Sequence, residues 1–362
     1  MTNSWDFVLL QPGAGERSIT DLTAATSRIL TISLDDASSA SFTMPGEHRE
    51  TNEISELATD LLVGFNGTDL FRGRIGPSRD VIAESTHTVE FTAWDYREVL
   101  NHRILLSGDT VAFSAVDQST VAWTLANASQ SRTAGNLGLS STGLSATGVT
   151  RTITYELGAR CGEEIDNLAG LVDGFEWDIS PDLEFLVYYP NRGEVGAYTL
   201  ELGGSLLTAT RNLAPENFIN VIRLTGADGL AAVVSTSSDL EGAPEGRWEK
   251  QEGVSDLTPQ AAVTARSLAL LARHNVPPVS WSVSIDPNRW SGPSDLWVGD
   301  APNLVVKSGR LDINTTALRV TEMSFSINEA GETITATLGL APRNIFSKVD
   351  RVLGRLSRLE KR

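Results

Sequence analysis

Short stretches of period-two alternation, separated by turn residues, most constrain what this chain can fold into. In residues 28–34 (RILTISL), Leu30, Ile32 and Leu34 alternate with polar or small residues, and residues 87–93 (HTVEFTA) repeat the pattern. Successive side chains of a β-strand point to opposite faces, so each stretch fits a half-buried strand. Similar runs occupy residues 5–10, 40–44, 61–65 and 70–75. The first hundred residues therefore predict a small antiparallel barrel or sandwich.

Residues 66–75 (NGTDLFRGRI) predict one hairpin of this region. Asn66-Gly67 is a strong signal for a two-residue hairpin turn, and it is flanked by apolar runs. The hydrophobic period then changes in residues 94–105 (WDYREVLNHRIL), which predict a short helix that closes the domain.

The rest of the chain mixes helix and strand signals. Residues 129–150 are rich in Ser, Thr and Gly and predict a loop, whereas Ile165, Leu168, Ala169 and Val172 form a helical stripe. Further strands are predicted at 175–179, 183–189, 218–224, 230–235, 280–285, 303–307, 318–327 and 333–340, with a helix at about 258–273. Residues 70–95 and 318–341 share one layout, which fits either two similar β-barrels or two unrelated hairpins.

Composition excludes several classes of function. The chain carries 29 basic and 46 acidic residues, a formal charge of −17, which disfavours general binding to nucleic acid or to anionic membranes. The single cysteine, Cys161, allows no internal disulfide. We find no signal peptide pattern and no apolar run near the roughly 20 residues that cross a bilayer. We therefore expect a soluble protein without a direct membrane anchor, made in a cytoplasm.

No motif predicts a catalytic, cofactor-binding or metal-binding residue. The four histidines are far apart in sequence, and no zinc, nucleophile-elbow or phosphate-loop pattern occurs. Cys161 at a helix start fits either a nucleophile with a lowered pKa or, more simply, a small packed residue. Adjacent carboxylates such as Asp35-Asp36 and Glu163-Glu164 fit turn and helix-start preferences as well as acid-base chemistry. We therefore expect no enzyme and no cofactor.

Two other features are candidates for contacts with partners. Trp290 and Trp297 lie in a loop-like stretch (NRWSGPSDLW) and are candidate interface residues. Near the C-terminus, an apolar seam with spacings of 4, 3, 4 and 3 residues predicts an amphipathic helix at 344–362, with basic residues around it. The seam fits either packing on its own domain or self-association and partner docking, and it consists of Ile345, Val349, Val352, Leu356 and Leu359.

An ordered set of motifs gives the chain a family resemblance. Residues 30–46, 61–76 and 89–105 resemble the N-terminal domain of phage tail baseplate hub proteins, the minor tail or tail-tip proteins of siphophages that infect actinobacteria. Residues 162–193, 220–229, 297–306 and 318–339 resemble later parts of the same family. The family's motif positions are occupied here by Phe71, Gly73, Ile75, Asp95, Tyr96 and Leu100.

The resemblance implies a mainly β fold with α+β elements, in which two small antiparallel β-barrel domains are separated by a mixed α/β domain. The expected segments are a β-barrel hub domain at 1–105, the mixed domain at 106–205, a second barrel at 206–343 with an inserted helix, and the amphipathic helix at 344–362. It also implies a homotrimer with a ring of barrels beneath the tail.

The function implied is that of a structural hub in the virion tail tip, joining the tail tube to tip proteins and lining the DNA exit channel. Expected partners are the distal tail ring protein, the tape-measure protein and other tail-tip proteins, with DNA passing through the lumen without specific binding. Alternatives are a tail-associated cell-wall hydrolase, a host receptor-binding protein that uses Trp290 and Trp297, and a neighbouring ring protein of related fold.

Overall fold

The computed structural model describes residues 3–11, 17–171, 173–213, 218–235, 246–253, 260–274 and 279–339. The chain divides into two compact units, one formed by Met1–Ala209 with Val283–Arg362 and the other by Thr210–Ser282. This division differs from the four expected segments, because the strands after residue 283 belong to the same unit as the first two hundred residues. The predicted C-terminal helix lies outside the described residues.

The described residues contain 22 strands and five α-helices. In chain order, the strands are β1 (Trp5–Gln11), β2 (Arg17–Asp21), β3 (Ser27–Ser33), β4 (Ser39–Pro45), β5 (Asp60–Phe65), β6 (Thr68–Ile75), β7 (Arg79–Ala83), β8 (Thr86–Asp95), β9 (Ala112–Asp117), β10 (Thr150–Thr154), β11 (Glu176–Ile179), β12 (Phe185–Tyr188), β13 (Val195–Glu201), β14 (Leu206–Leu213), β15 (Val221–Thr225), β16 (Ala231–Ser235), β17 (Glu249–Gly253), β18 (Val279–Ile285), β19 (Ala301–Ser308), β20 (Leu311–Thr315), β21 (Arg319–Asn328) and β22 (Gly331–Gly339). The helices are α1 (Arg49–Asn52), α2 (Tyr96–Asn101), α3 (Gln118–Gln130), α4 (Cys161–Ala169) and α5 (Gln260–His274).

The largest sheet unites strands from both ends of the chain. Its order is β14-β18-β22-β21-β3-β4-β8-β6-β5-β1-β2, with β7 paired to β8 off this path. Strand β21 pairs antiparallel with β3, which places Phe325 opposite Leu30. Among the described strands no sheet closes on itself, so the predicted pair of closed barrels is not confirmed. The two regions that share a layout instead contribute to one sheet.

Alternation explains why these strands share one core. Leu30, Phe42 and Phe91 are nearly inaccessible to water, whereas the polar residues between them are more exposed. The aromatic rings of Phe42 and Phe91 stack across β4 and β8 at 5.2 Å between centroids. The predicted alternating strands at 28–34, 40–44 and 87–93 are confirmed as β3, β4 and β8.

The predicted hairpin at 66–75 is confirmed as the connection between β5 and β6. Asn66 and Gly67 have φ values of 50° and 79°, as a two-residue turn with both central residues in the left-handed region requires. Asn66 also receives the backbone N–H of Ser4 on its side-chain oxygen at 2.9 Å, which ties the turn to the start of β1.

The middle region of the first unit has its own helical core. Helices α2, α3 and α4 pack with the β11–β12 hairpin around buried side chains that include Leu125, Ile165 and Phe185. Helix α3 was not predicted, although Asp117 caps it by accepting the backbone N–H of Ser119 at 2.9 Å. The β11–β12 hairpin confirms the predicted hairpin, and α4 confirms the stripe residues Ile165, Leu168 and Ala169, whereas Val172 lies outside the described residues.

The second unit is a small sheet with one helix. Strand β15 pairs antiparallel with β16 and parallel with β17, and α5 packs on β15 and β16. Ile222 and Leu224 of β15 share an apolar core with Val263 and Leu270 of α5. The helix predicted at about 258–273 is confirmed as α5.

Candidate interaction surfaces

A buried carboxylate organises the hairpin motif FRGRI. Asp60 is fully buried, and its Oδ2 accepts two hydrogen bonds from Arg72 at 3.1 Å and one from the Tyr96 hydroxyl at 2.6 Å. Arg74 donates from Nε to Oδ1 of the same carboxylate at 2.6 Å. Arg72 and Arg74 are two residues apart on β6, so both reach the same face of the sheet. Burial and the charge of Asp60 raise the pKa of Tyr96 to about 12.

Gly73 of this motif lies where strands β6 and β8 approach each other closely. A Cβ on Gly73 would lie 2.4 Å from the Phe71 ring and 2.5 Å from the backbone oxygen of Trp94. A side chain therefore has no room here while β6 pairs with β8. The F-x-G-x-I pattern thus reflects packing against β8.

A second, partly buried ion pair joins the large sheet to the helical region. Arg97 of α2 donates to Asp166 of α4 at 2.7 Å, and its guanidinium lies 4.5 Å from the centre of the Trp177 ring. The indole N–H of Trp177 donates to the same Asp166 oxygen at 3.0 Å. Because Arg97 also donates to the carbonyl oxygen of Leu34, one side chain links three distant segments.

Beside this pair, Asp95 caps helix α2 from a buried position. It accepts the backbone N–H groups of Ser38 at 2.6 Å and Glu98 at 3.2 Å. Burial and the nearby charge of Asp178 raise the pKa of Asp95 to about 7. This carboxyl group therefore holds its proton more strongly than an exposed aspartate does.

A third ion pair connects the hairpin β11–β12 to the end of the sheet. Arg319 of β21 donates to both carboxylate oxygens of Glu176, at 2.7 and 2.9 Å. Its guanidinium also donates to the backbone oxygens of Gly299 and Arg192, each at 2.8 Å. Arg192 in turn donates to Asp178 at 2.7 Å. A bidentate pair of this kind fixes both the distance and the orientation of the two strands.

Two adjoining cavities open beside Arg192, both within the first unit. One has a volume of about 220 Å³ and the other about 480 Å³, and Arg192, Pro293 and Trp297 line both. Apolar walls of the smaller cavity include Phe71 and Leu186. Carboxylates line the pair, namely Asp69, Asp95 and Asp178 in the smaller cavity and Glu194, Asp295 and Asp300 in the larger.

The two predicted interface tryptophans occupy different environments. Trp290 is only 1% exposed, and its indole N–H donates to the Leu296 oxygen at 3.1 Å. Its ring packs against Phe65 and Phe325 at 4.8 and 5.0 Å between centroids. The expectation that Trp290 is an exposed contact is therefore corrected, because the loop folds back onto an aromatic cluster. Trp297 is partly exposed at the cavities, and its interface role stays a prediction.

The second set of predicted partner contacts is the apolar seam near the C-terminus. The seam residues Ile345, Val349, Val352, Leu356 and Leu359 are outside the described residues, so their role stays a prediction.

Cys161, the candidate nucleophile, is engaged in packing. Cys161 is buried at the start of α4, and burial raises the pKa of its thiol to about 11, opposite to the shift that a nucleophile needs. In the part of the chain that the structure describes, no group of three His, Cys, Asp or Glu residues is placed to hold a metal ion. Among the same residues, no helix combines the length and apolarity needed to span a membrane.

Comparison with known proteins gives a fold likeness over almost the whole chain. No protein family model matches the sequence, and no curated protein matches it either. The 43 kDa tail protein of prophage MuSo2 from Shewanella oneidensis matches with a TM-score of 0.64 and 13% identity, over 92% of this chain and 97% of that one. A tail protein from Neisseria meningitidis matches with a TM-score of 0.58 and 13% identity, over 92% and 96% of the two chains.

A third solved structure extends the likeness to a Gram-positive source. The prophage tail protein gp18 from Listeria monocytogenes matches with a TM-score of 0.55 and 12% identity, over 97% of this chain and 99% of that one. At these identities the likeness establishes a shared fold. The described part of the chain therefore shares the fold of these tail proteins over most of its length.

Proposed function

We propose that this chain is a structural hub of a phage tail tip, of the kind found in siphophages that infect actinobacteria. The observation that carries the proposal is the fold likeness to the MuSo2 tail protein, which covers 92% of this chain and 97% of that one. A likeness over both whole chains favours a shared architectural role more than a single shared module would. The ordered motifs of the sequence lead to the same family independently.

In this proposal, three copies form a ring of β-domains that joins the tail tube to tip proteins and surrounds the path of the DNA. A formal charge of −17 per copy supports this arrangement, because an acidic lumen repels passing DNA and limits sticking. The distal tail ring protein and the tape-measure protein are the expected neighbours in the virion.

A closed ring requires two different surfaces on each copy, since every copy contacts its neighbours head to tail. Strand β7 is a candidate for one of them. All five of its residues are exposed, Ile82 is 74% exposed, and within the described sheet β7 pairs only with β8. A strand that is paired along one edge alone and carries an exposed apolar side chain is suited to contact with another chain.

The proposed role is architectural rather than catalytic. The charge of Asp178 acts on Asp95, and both carboxylates are engaged, the first by Arg192 and the second by two backbone N–H groups. We expect no clearing zone on a peptidoglycan zymogram of the purified protein. Clearing that disappears in Asp95→Asn or Asp178→Asn would instead establish a hydrolase.

Copy number in purified virions tests the proposal directly. Quantitative mass spectrometry should find this chain in the tail at three copies per particle, in a fixed ratio to the proteins of the adjoining ring. Absence from tails, or a copy number that varies between preparations, would contradict a hub role.

A further inference from the structure

The C-terminal end of the described chain emerges beside the two adjoining cavities. Strand β22 ends at Gly339, which pairs with Arg319 of β21. The Arg319 guanidinium donates to the backbone oxygens of Arg192 and Gly299, and Arg192 lines both cavities. The groove is defined here as these two cavities together, and strand β22 ends beside it.

The groove has an excess of negative charge. Both of its arginines already have carboxylate partners, Arg72 with Asp60 and Arg192 with Asp178. No cation of the described residues lies within ion-pair distance of Asp69, Glu194 or Asp295, which line the groove.

Neighbouring charges add to this excess around Asp69. Burial raises the pKa of Asp69, and the nearby charges of Asp182 and Asp6 raise it further. A cation near this carboxylate would relieve that repulsion.

The groove also has apolar surface that a charged ligand alone would leave uncovered. Its walls include Phe71, Leu186, Pro293 and Trp297, and the last two are partly exposed. An occupant that fits must therefore present apolar and basic side chains together.

The remaining C-terminal sequence has this composition. Residues 344–362 contain six Lys or Arg residues and two acidic ones, in a chain whose formal charge is −17. The same residues carry the five-residue apolar seam. The five residues after Gly339 span at most about 17 Å when extended, so the segment begins within reach of the groove.

We propose that residues 344–362 dock in the groove of their own copy, with seam residues on its apolar wall and basic side chains at its acidic rim. We identify this segment as the occupant because its basic charge complements the acidic groove and because β22 ends beside the groove. The inference does not depend on the proposed tail role, because it concerns a single copy.

The few lysines of the chain make a sharp test. The chain has four, Lys250, Lys307, Lys348 and Lys361, of which two lie in the C-terminal segment. A carbodiimide couples a lysine amine to a carboxylate only when the two are in contact. Lys250 lies 3.4 Å from Glu252 and serves as an internal positive control.

The experiment treats the full-length protein at low concentration, as an equal mixture of ¹⁴N- and ¹⁵N-labelled copies, and maps the coupled peptides by mass spectrometry. We expect Lys348 or Lys361 to couple to Asp69, Glu194 or Asp295 within one copy. Coupling of these lysines only to other carboxylates, only between copies, or not at all while Lys250 couples to Glu252, would overturn the proposal.

A charge-reversal variant tests the electrostatic part and leaves every lysine in place. Arg351→Glu with Arg355→Glu should reduce coupling to the groove by about tenfold, since two attractive contacts become repulsive. The matched control is Arg310→Glu, which reverses an exposed charge in the turn between β19 and β20 and should leave the coupling unchanged. Equal coupling in the parent and the double variant would overturn docking by charge.

Discussion

Both compact units have apolar cores, but they differ in the ion pairs that accompany those cores. In the first unit, partly buried ion pairs join residues far apart in sequence, such as Arg97 with Asp166 and Arg319 with Glu176, which is 143 residues away. A further carboxylate of this unit, Asp60, is fully buried. In the second unit, apolar side chains of β15, β16 and α5 form the core. Its ion pair between Arg247 and Glu249 lies on the surface.

This difference teaches how each unit is specified. Apolar burial is not directional, so it stabilises a small sheet and helix whose partners are already close in sequence. A buried arginine and carboxylate must meet in one geometry, because either group left alone in the core is strongly unfavourable. Our hypothesis is that the first unit uses these pairs to fix how distant segments meet.

The largest expected effect comes from breaking the Asp60 cluster. Asp60→Asn leaves Arg72 and Arg74 without their buried carboxylate and should lower the free energy of unfolding of the first unit by about 3–5 kcal/mol. Chemical denaturation, together with hydrogen exchange of the β5 and β6 amides, measures this loss. Glu249→Gln removes a surface partner and should change little. Equal small effects of the two variants would remove the distinction between the units.

The second unit should respond to loss of apolar volume instead. Leu224 is fully buried against α5, so Leu224→Ala should destabilise this unit by about 2–5 kcal/mol. Amides of β15 and β16 should lose protection in hydrogen exchange, while those of β3 and β4 keep it. Val233→Ala, at a side chain that is 63% exposed, is the matched control. Loss of protection in β3 and β4 as well would mean that the two units do not differ as described.

A smaller effect tests whether the close approach of β6 and β8 at Gly73 also contributes to the stability of the first unit. Gly73→Ala places a methyl group against the Trp94 backbone and should destabilise the unit by about 1–3 kcal/mol. Gly204→Ala is the control, since its methyl group would meet no atom closer than 3.4 Å. Denaturation midpoints that shift equally in both variants would contradict the close approach.

Within a single pH unit, the smallest effect is a slope of stability with pH. Because the pKa of Asp95 is about 7 in the fold, against an ordinary 3.8, the folded chain keeps a proton that the unfolded chain loses. The free energy of unfolding should therefore fall as the pH rises from about 4 to 7, by at most about 1.4 kcal/mol per pH unit. Asp95→Asn keeps a helix-capping side chain and should remove this component. Parallel pH profiles for the parent and the variant would exclude it.

Sequence alternation and turn chemistry predicted most individual elements of both units. The period-two runs became β3, β4 and β8, Asn66-Gly67 became a tight turn, and the helical stripe near Ile165 became α4. These signals are local, because each depends on residues within one strand, turn or helix.

The arrangement of the elements could not be predicted in the same way. The pairing of β21 with β3 joins residues about three hundred positions apart, and alternation does not say which strand is the neighbour. Helix α3 was missed because Ser, Thr and Asn within residues 118–130 weaken its helical signal.

The ion pairs of Arg72 and Arg97 were not predicted, for a related reason. No partner was predicted for Arg72 or Arg97, although Arg72 directly follows the apolar residues Leu70 and Phe71 in its strand. A charged residue at such a position is a sequence signal for a buried partner. The identity of the partner, Asp60 or Asp166, depends on the tertiary fold.

The mass of the isolated particle tests the central claim most directly. Mass photometry of the full-length protein should show a species of about three times the 38.9 kDa chain mass, the smallest ring of the proposed kind. Ile82→Asp at the exposed edge strand should reduce the trimer fraction and leave the fold of each copy intact. A particle that remains a single chain at every concentration, both alone and with the adjoining tail ring protein, would contradict the account.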